Sequence, residues 1–148
     1  MDRFELLSIL EELISDAKVG VLSTVDAQGR PHARWMTPAL LPARPGSIYT
    51  VSTPDAPKIS QLAARPEVEW MFQTRAVHRV VNVRGRCYVV EAPQLRAEVL
   101  EAIGRKLAAF WRYNQDPASL VILETVMEEA CYYLPMKGQM VTCRLVED

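Results

Sequence analysis

Arg34, Thr50, Ser52, Thr53 and Lys58 are the residues whose types and spacing suit a chemical task best. Arg34 sits among apolar neighbours in HARWMTPALL (32–41), and SIYTVST (47–53) brings a set of hydroxyls one strand later. Lys58 follows in the first turn of the helix expected after that strand. A helix start offers free backbone N–H groups and the positive end of a dipole, and a lysine there adds a full charge. Taken singly, Arg34 and Lys58 read as solvated surface charges. Combined with the hydroxyls they read as a cradle for a phosphate, which needs charge-assisted donors.

Other polar residues point to no second site. His32 and His78 are too far apart to form one, and neither lies near a nucleophile motif. His32 shares the strand face of Arg34 and is expected to be a polar strand residue. Arg84 and Arg86 alternate outward on one strand and are expected to meet solvent. Glu128–Glu129 reads as a turn, and Phe110, Trp111 and Tyr113 as core packing. The three cysteines, Cys87, Cys131 and Cys143, lack CxxC spacing. They are expected to be reduced structural thiols in a cytoplasmic protein, with no metal site.

These residues need elements to position them. Phe4, Leu6, Leu7, Leu10, Leu13, Ile14 and Ala17 keep helical spacing over 3–17, with Asp2 and Glu5 as a capping pair. Strands are expected at 19–25 and 32–41 around the turn DAQGR, then at 47–53, where side chains alternate between two faces. PDAPKISQLAARP (54–66) reads as a short helix capped by Asp55, with Pro57 in its first turn and a stripe of Ile59, Leu62 and Ala63. Strands at 67–74 and 80–91 follow, the latter with Gly85 marking a bulge or bend. A helix over 93–113 and strands near 119–126 and 139–146 complete the pattern. Hairpins dominate and no long strand–helix–strand alternation occurs, so the expectation is one α+β domain with an antiparallel barrel. The chain has 148 residues and a net charge of -1, with no basic block to suit nucleic acid. No window is long and apolar enough for a spanning helix, and the first residues, with acids early and no long apolar run, are not expected to act as a signal peptide.

The order GRPH-R-M-P, YTVST, PK, RPEV and VRGR resembles the flavin-binding split barrels related to pyridoxamine-phosphate oxidase, and more closely their general-stress-protein subgroup. The resemblance runs over residues 8–145. It implies that flavin mononucleotide (FMN) is the cofactor and that Arg34, Trp35, Met36 and Thr37 line it. It also assigns Tyr49, Thr50, Ser52 and Thr53 to the site and makes Lys58 the phosphate lysine. In this family the flavin lies between two subunits, so a homodimer is implied.

Two departures stand out. Pro57 occupies the place of an arginine that pyridoxamine-phosphate oxidases pair with the lysine, and Val80 that of a glutamine. The resemblance therefore implies a flavin site without implying the namesake reaction or naming a substrate. A flavin-dependent oxidoreductase, a non-catalytic flavin sensor, and a relative holding deazaflavin or haem all stay open at this point.

Overall fold

The computed structural model describes residues 1–104 and 119–146. Helix α1 spans Arg3–Ala17. Its start is closed by a capping box, with the Asp2 carboxylate accepting from the Glu5 N–H and the Glu5 carboxylate from the Asp2 N–H. Leu6, Leu10, Leu13 and Ile14 are its buried residues. Phe4, expected on that stripe, falls on the opposite side and is 80% exposed.

Strands β1 (Gly20–Val25) and β2 (Pro31–Met36) form a hairpin. Asp26 organises its turn. Its carboxylate accepts from the N–H groups of Gln28 and Arg30 and contacts His32 Nε2 at 2.8 Å. The contact with His32, followed by the backbone bond from Arg30, holds the Asp26 carboxyl far below the usual carboxylate range. Gly29, at φ 83°, takes the left-handed position of the turn. The strand expected to reach position 41 stops at Met36. Pro38 cannot donate to a ladder, and only Ala39 resumes pairing, in a bridge to Tyr49.

Strand β3 (Ser47–Ser52) alternates as expected, yet all six residues are buried because both its faces are covered. Ile48 joins the main core with Trp70 and Phe72, while Tyr49 and Val51 join a second core under helix α3 (Pro93–Ile103). The rest of the expected helix 93–113, with Phe110, Trp111 and Tyr113, lies outside the described residues. Helix α2 (Pro57–Ala64) starts at a proline, which places Asp55 one residue too early to cap it; Ala56 is the N-cap and makes no side-chain bond. Its buried residues are Gln61 and Leu62, whereas Ala63 is exposed.

Strands β4 (Glu67–Gln73), β5 (Val80–Val90), β6 (Val121–Leu134) and β7 (Gln139–Arg144) complete an antiparallel sheet of seven strands. The order is β2-β1-β4-β5-β6-β3, with β7 also pairing β6. The Ala39–Tyr49 bridge links the segment after β2 back to β3, which turns the sheet toward closure. β6 runs well past position 126, so Glu128–Glu129 is strand rather than turn. The eleven residues of β5 give it a partner along its length, and Gly85 permits a bulge opposite Glu128. Arg84 and Arg86 face outward as expected and pair with Glu69, Glu129 and Glu128. Among the described residues no helix is long and apolar enough to cross a membrane.

Cys87 is fully buried and Cys143 nearly so, with Cys131 half-buried; all three are free. Burial pushes the Cys87 thiol up to about 11. An aromatic disulfide reagent at pH 8 should therefore label Cys131 first, and Cys87 only on unfolding. Labelling of native Cys87 at the rate of Cys131 would contradict this.

Candidate functional site

The expected residues converge where β2, β3 and the start of α2 meet. Arg34, Trp35, Met36, Thr37, Thr50, Ser52, Thr53 and Lys58 line one cavity of about 390 Å³, together with Val19 and Val51. Tyr49 is not brought to it. Strand alternation turns its ring into the second core, where its hydroxyl donates to Glu124 at 3.0 Å. Burial and then that carboxylate push the Tyr49 phenol up. His32 also stays away, held by Asp26.

Each polar group in the cavity has a fixed place. Thr50 Oγ1 donates to the Thr37 carbonyl at 2.7 Å, tying β3 to the segment after β2. Ser52 Oγ donates to the Thr53 carbonyl and accepts from Lys58 Nζ at 3.1 Å. Proline at the first helical position of α2 sends the chain directly from the β3 edge into the turn that carries Lys58. Arg34 lies on β2 opposite Leu22 of β1. Its Nη1 donates to the Leu22 carbonyl at 3.2 Å and to Thr24 Oγ1 at 2.7 Å, and its Nη2 to Gln61 Oε1 at 3.3 Å. Trp35 points to the other face of β2 and is 75% exposed.

The electrostatics are one-sided. Arg34 and Lys58 are both partly buried, and among the described residues neither forms an ion pair with a carboxylate. Burial lowers the proton affinity of both, and the charge of Arg34 lowers that of Lys58 further. Two cations held close together without a counter-charge suit an anion, because binding one would relieve their mutual repulsion. Among the described residues the lining contains no carboxylate, histidine or cysteine. Nothing in it is therefore suited to general acid–base work at neutral pH beyond the lysine itself.

Thr24 and Gln61, which hold Arg34, were not legible as site residues. Gln61 is a polar residue buried beside Leu62 on α2, and that departure from the apolar stripe is the sequence signal that marks it.

The family model for pyridoxamine 5'-phosphate oxidase matches residues 8–132. A pyridoxine/pyridoxamine 5'-phosphate oxidase of Pseudomonas entomophila is 36% identical over 85 residues, covering 57% of this chain and 38% of the relative. The chain thus spans well under half the length of that relative. Among solved structures, a Clostridium acetobutylicum protein related to general stress protein 26 superposes with a TM-score of 0.77 at 13% identity, covering 98% of this chain and 97% of the other. An FAD-binding protein of Mesorhizobium loti (TM-score 0.68, 18% identity, 82% and 89% covered) shares the fold. A haem-binding protein of Mycobacterium smegmatis (0.69, 20%, 89% and 55%) shares it too. The match to the family model takes in most of α1, the strands from β1 to β5 and the lined cavity: this chain belongs to the pyridoxamine 5'-phosphate oxidase family.

Proposed function

We propose that the cavity holds FMN and that the protein is a flavin-dependent oxidoreductase acting on a small molecule, working as a homodimer with the flavin at the subunit interface. The observation that carries this reading is the pair of partly buried cations, Arg34 and Lys58, facing one cavity whose described lining holds no carboxylate. The donor set fits a phosphate monoester: a guanidinium, an ammonium and the hydroxyls of β3. Arg34 and Lys58 would hold the phosphate, and the backbone of Trp35, Met36 and Thr37 would border the ring. A bound flavin would supply the redox chemistry, and the protein's part is to place it and exclude water around it. A haem is the poorer fit, since among the described residues Met36 is the sole lining side chain of the usual axial-ligand types.

The namesake substrate is not part of the proposal. Pro57 begins α2 where the oxidases place a second phosphate cation, and Val80 is buried on β5 where they carry a glutamine. The Trp35 ring, exposed beside the cavity, is a natural surface for a second subunit to cover.

The visible spectrum of the protein reconstituted with FMN and passed over a desalting column is the direct test. Flavin bands that travel with the protein are expected; a colourless protein would overturn the reading. Light scattering of the yellow fraction should give twice the chain mass. Bleaching by a reduced nicotinamide, followed by reoxidation and turnover, separates an enzyme from a flavin-storing or flavin-sensing protein.

A further inference from the structure

An arginine that must be rigid is commonly held by a carboxylate, which also cancels its charge. Arg34 is held differently. Its acceptors among the described residues are the carbonyl of Leu22, the hydroxyl of Thr24 and the amide oxygen of Gln61, all of them neutral. The three side chains close a ring. Thr24 donates its hydroxyl to Gln61 Oε1 at 2.6 Å, which leaves the Thr24 lone pairs to accept from Arg34 Nη1 at 2.7 Å. Gln61 Oε1 then accepts a second time, from Arg34 Nη2. Thr24 is fully buried and Gln61 is 9% exposed, so the ring competes little with water.

The ring also joins the two cations of the cavity. Gln61 lies three residues after Lys58 on α2, whereas Thr24 and Arg34 belong to the β1–β2 hairpin. Holding Arg34 through Gln61 therefore sets the guanidinium relative to the helix that carries the lysine.

We propose that Thr24 and Gln61 are positioning residues that lock Arg34 beside Lys58 with neutral acceptors, and so set the preference of the site for a phosphorylated flavin over the same flavin without phosphate. This inference rests on the reading of the cavity as an FMN site. A carboxylate at either position would hold Arg34 equally well and surrender its charge; a hydrocarbon would keep the charge and lose the geometry.

The test compares dissociation constants for FMN and riboflavin, measured by flavin fluorescence, across the wild type and four variants: Thr24→Val, Thr24→Ser, Gln61→Met and Gln61→Glu. The wild type should prefer FMN. Thr24→Val and Gln61→Met should each weaken FMN binding by about tenfold, the lower end for losing a group that orients a ligand contact, and leave riboflavin binding unchanged. Thr24→Ser returns the hydroxyl and should restore the preference. Gln61→Glu keeps an acceptor but adds a charge, and should reduce the preference more than Gln61→Met does. FMN and riboflavin affinities falling together in the variants would show a merely structural role and overturn the proposal. So would an unchanged preference in Thr24→Val and Gln61→Met. If Gln61→Met does not fold, the Thr24→Val and Thr24→Ser pair decides by the same criteria. A wild type that binds riboflavin as tightly as FMN overturns the phosphate cradle itself, and the positioning role with it; a preference present in the wild type and retained in the variants sinks the positioning role alone.

Discussion

Lys58→Ala is expected to weaken FMN binding by about 1.5–3 kcal/mol, the range for a hydrogen bond to a charged group. The lysine is half-buried, contacts Ser52 at 3.1 Å and lacks a carboxylate partner among the described residues. Its charge is therefore free for an anion, and the apo protein loses little when it is removed. Fluorescence titration of wild type and variant reads the difference directly, and equal affinities would take Lys58 out of the site. The pH profile carries a second signature. Burial and the neighbouring guanidinium both disfavour the protonated amine, so Lys58 loses its proton at a lower pH than an ordinary lysine. An anion binds the charged form. The FMN preference should thus be full at neutral pH and decline as pH rises through the lowered value, earlier than for a lysine of ordinary pKa. Expressing the affinity as a ratio to riboflavin cancels ionisation of the ring. Lys58→Ala should show no such decline.

Gly85→Ala is expected to destabilise the fold by about 2–3 kcal/mol, the upper part of the usual range for overpacking a well-filled core. A Cβ at this position would collide with the Val126 carbonyl, a backbone atom that no side-chain rotation can move aside. The damage would reach the main core. Two residues on, Cys87 pairs with Thr125, whose hydroxyl accepts from Trp70 Nε1 at 3.0 Å, and Trp70 stacks on Phe72 at 5.3 Å between ring centres. Separating β5 from β6 loosens all four. Urea unfolding should show a lower midpoint with the slope unchanged. A midpoint equal to the wild type would mean that the bulge adjusts freely and that Gly85 has no special place in it.

Much of the architecture is written locally. The α1 cap at Asp2 and Glu5 and the hairpin turn at DAQGR each depend on residues adjacent in sequence. At both places local preference agrees with the fold it belongs to. The same holds for the donors that suit a phosphate. Arg34, the β3 hydroxyls and Lys58 stand within 25 positions, and a strand followed by a proline-started helix brings them to one place.

What the tertiary structure alone decided follows from contacts between distant segments. β3 is buried on both faces because α3, some 40 positions away, covers the side that an amphipathic pattern leaves ambiguous. Glu128 and Glu129 read as a turn until β5 supplies a partner strand. Tyr49 neighbours Thr50 in sequence but leaves the cavity, since successive strand residues face opposite sides and only the packed fold says which side is which. The arginine of the cradle teaches the same lesson. Its residue type and place were visible in the sequence, but whether its charge is cancelled depends on which acceptors the fold brings to it. The acceptors it meets are Leu22, Thr24 and Gln61, all neutral, and the last lies 27 positions away on another element. That neutrality, which no local pattern encodes, leaves the charge of Arg34 uncancelled where a carboxylate partner would have made it half of an ion pair.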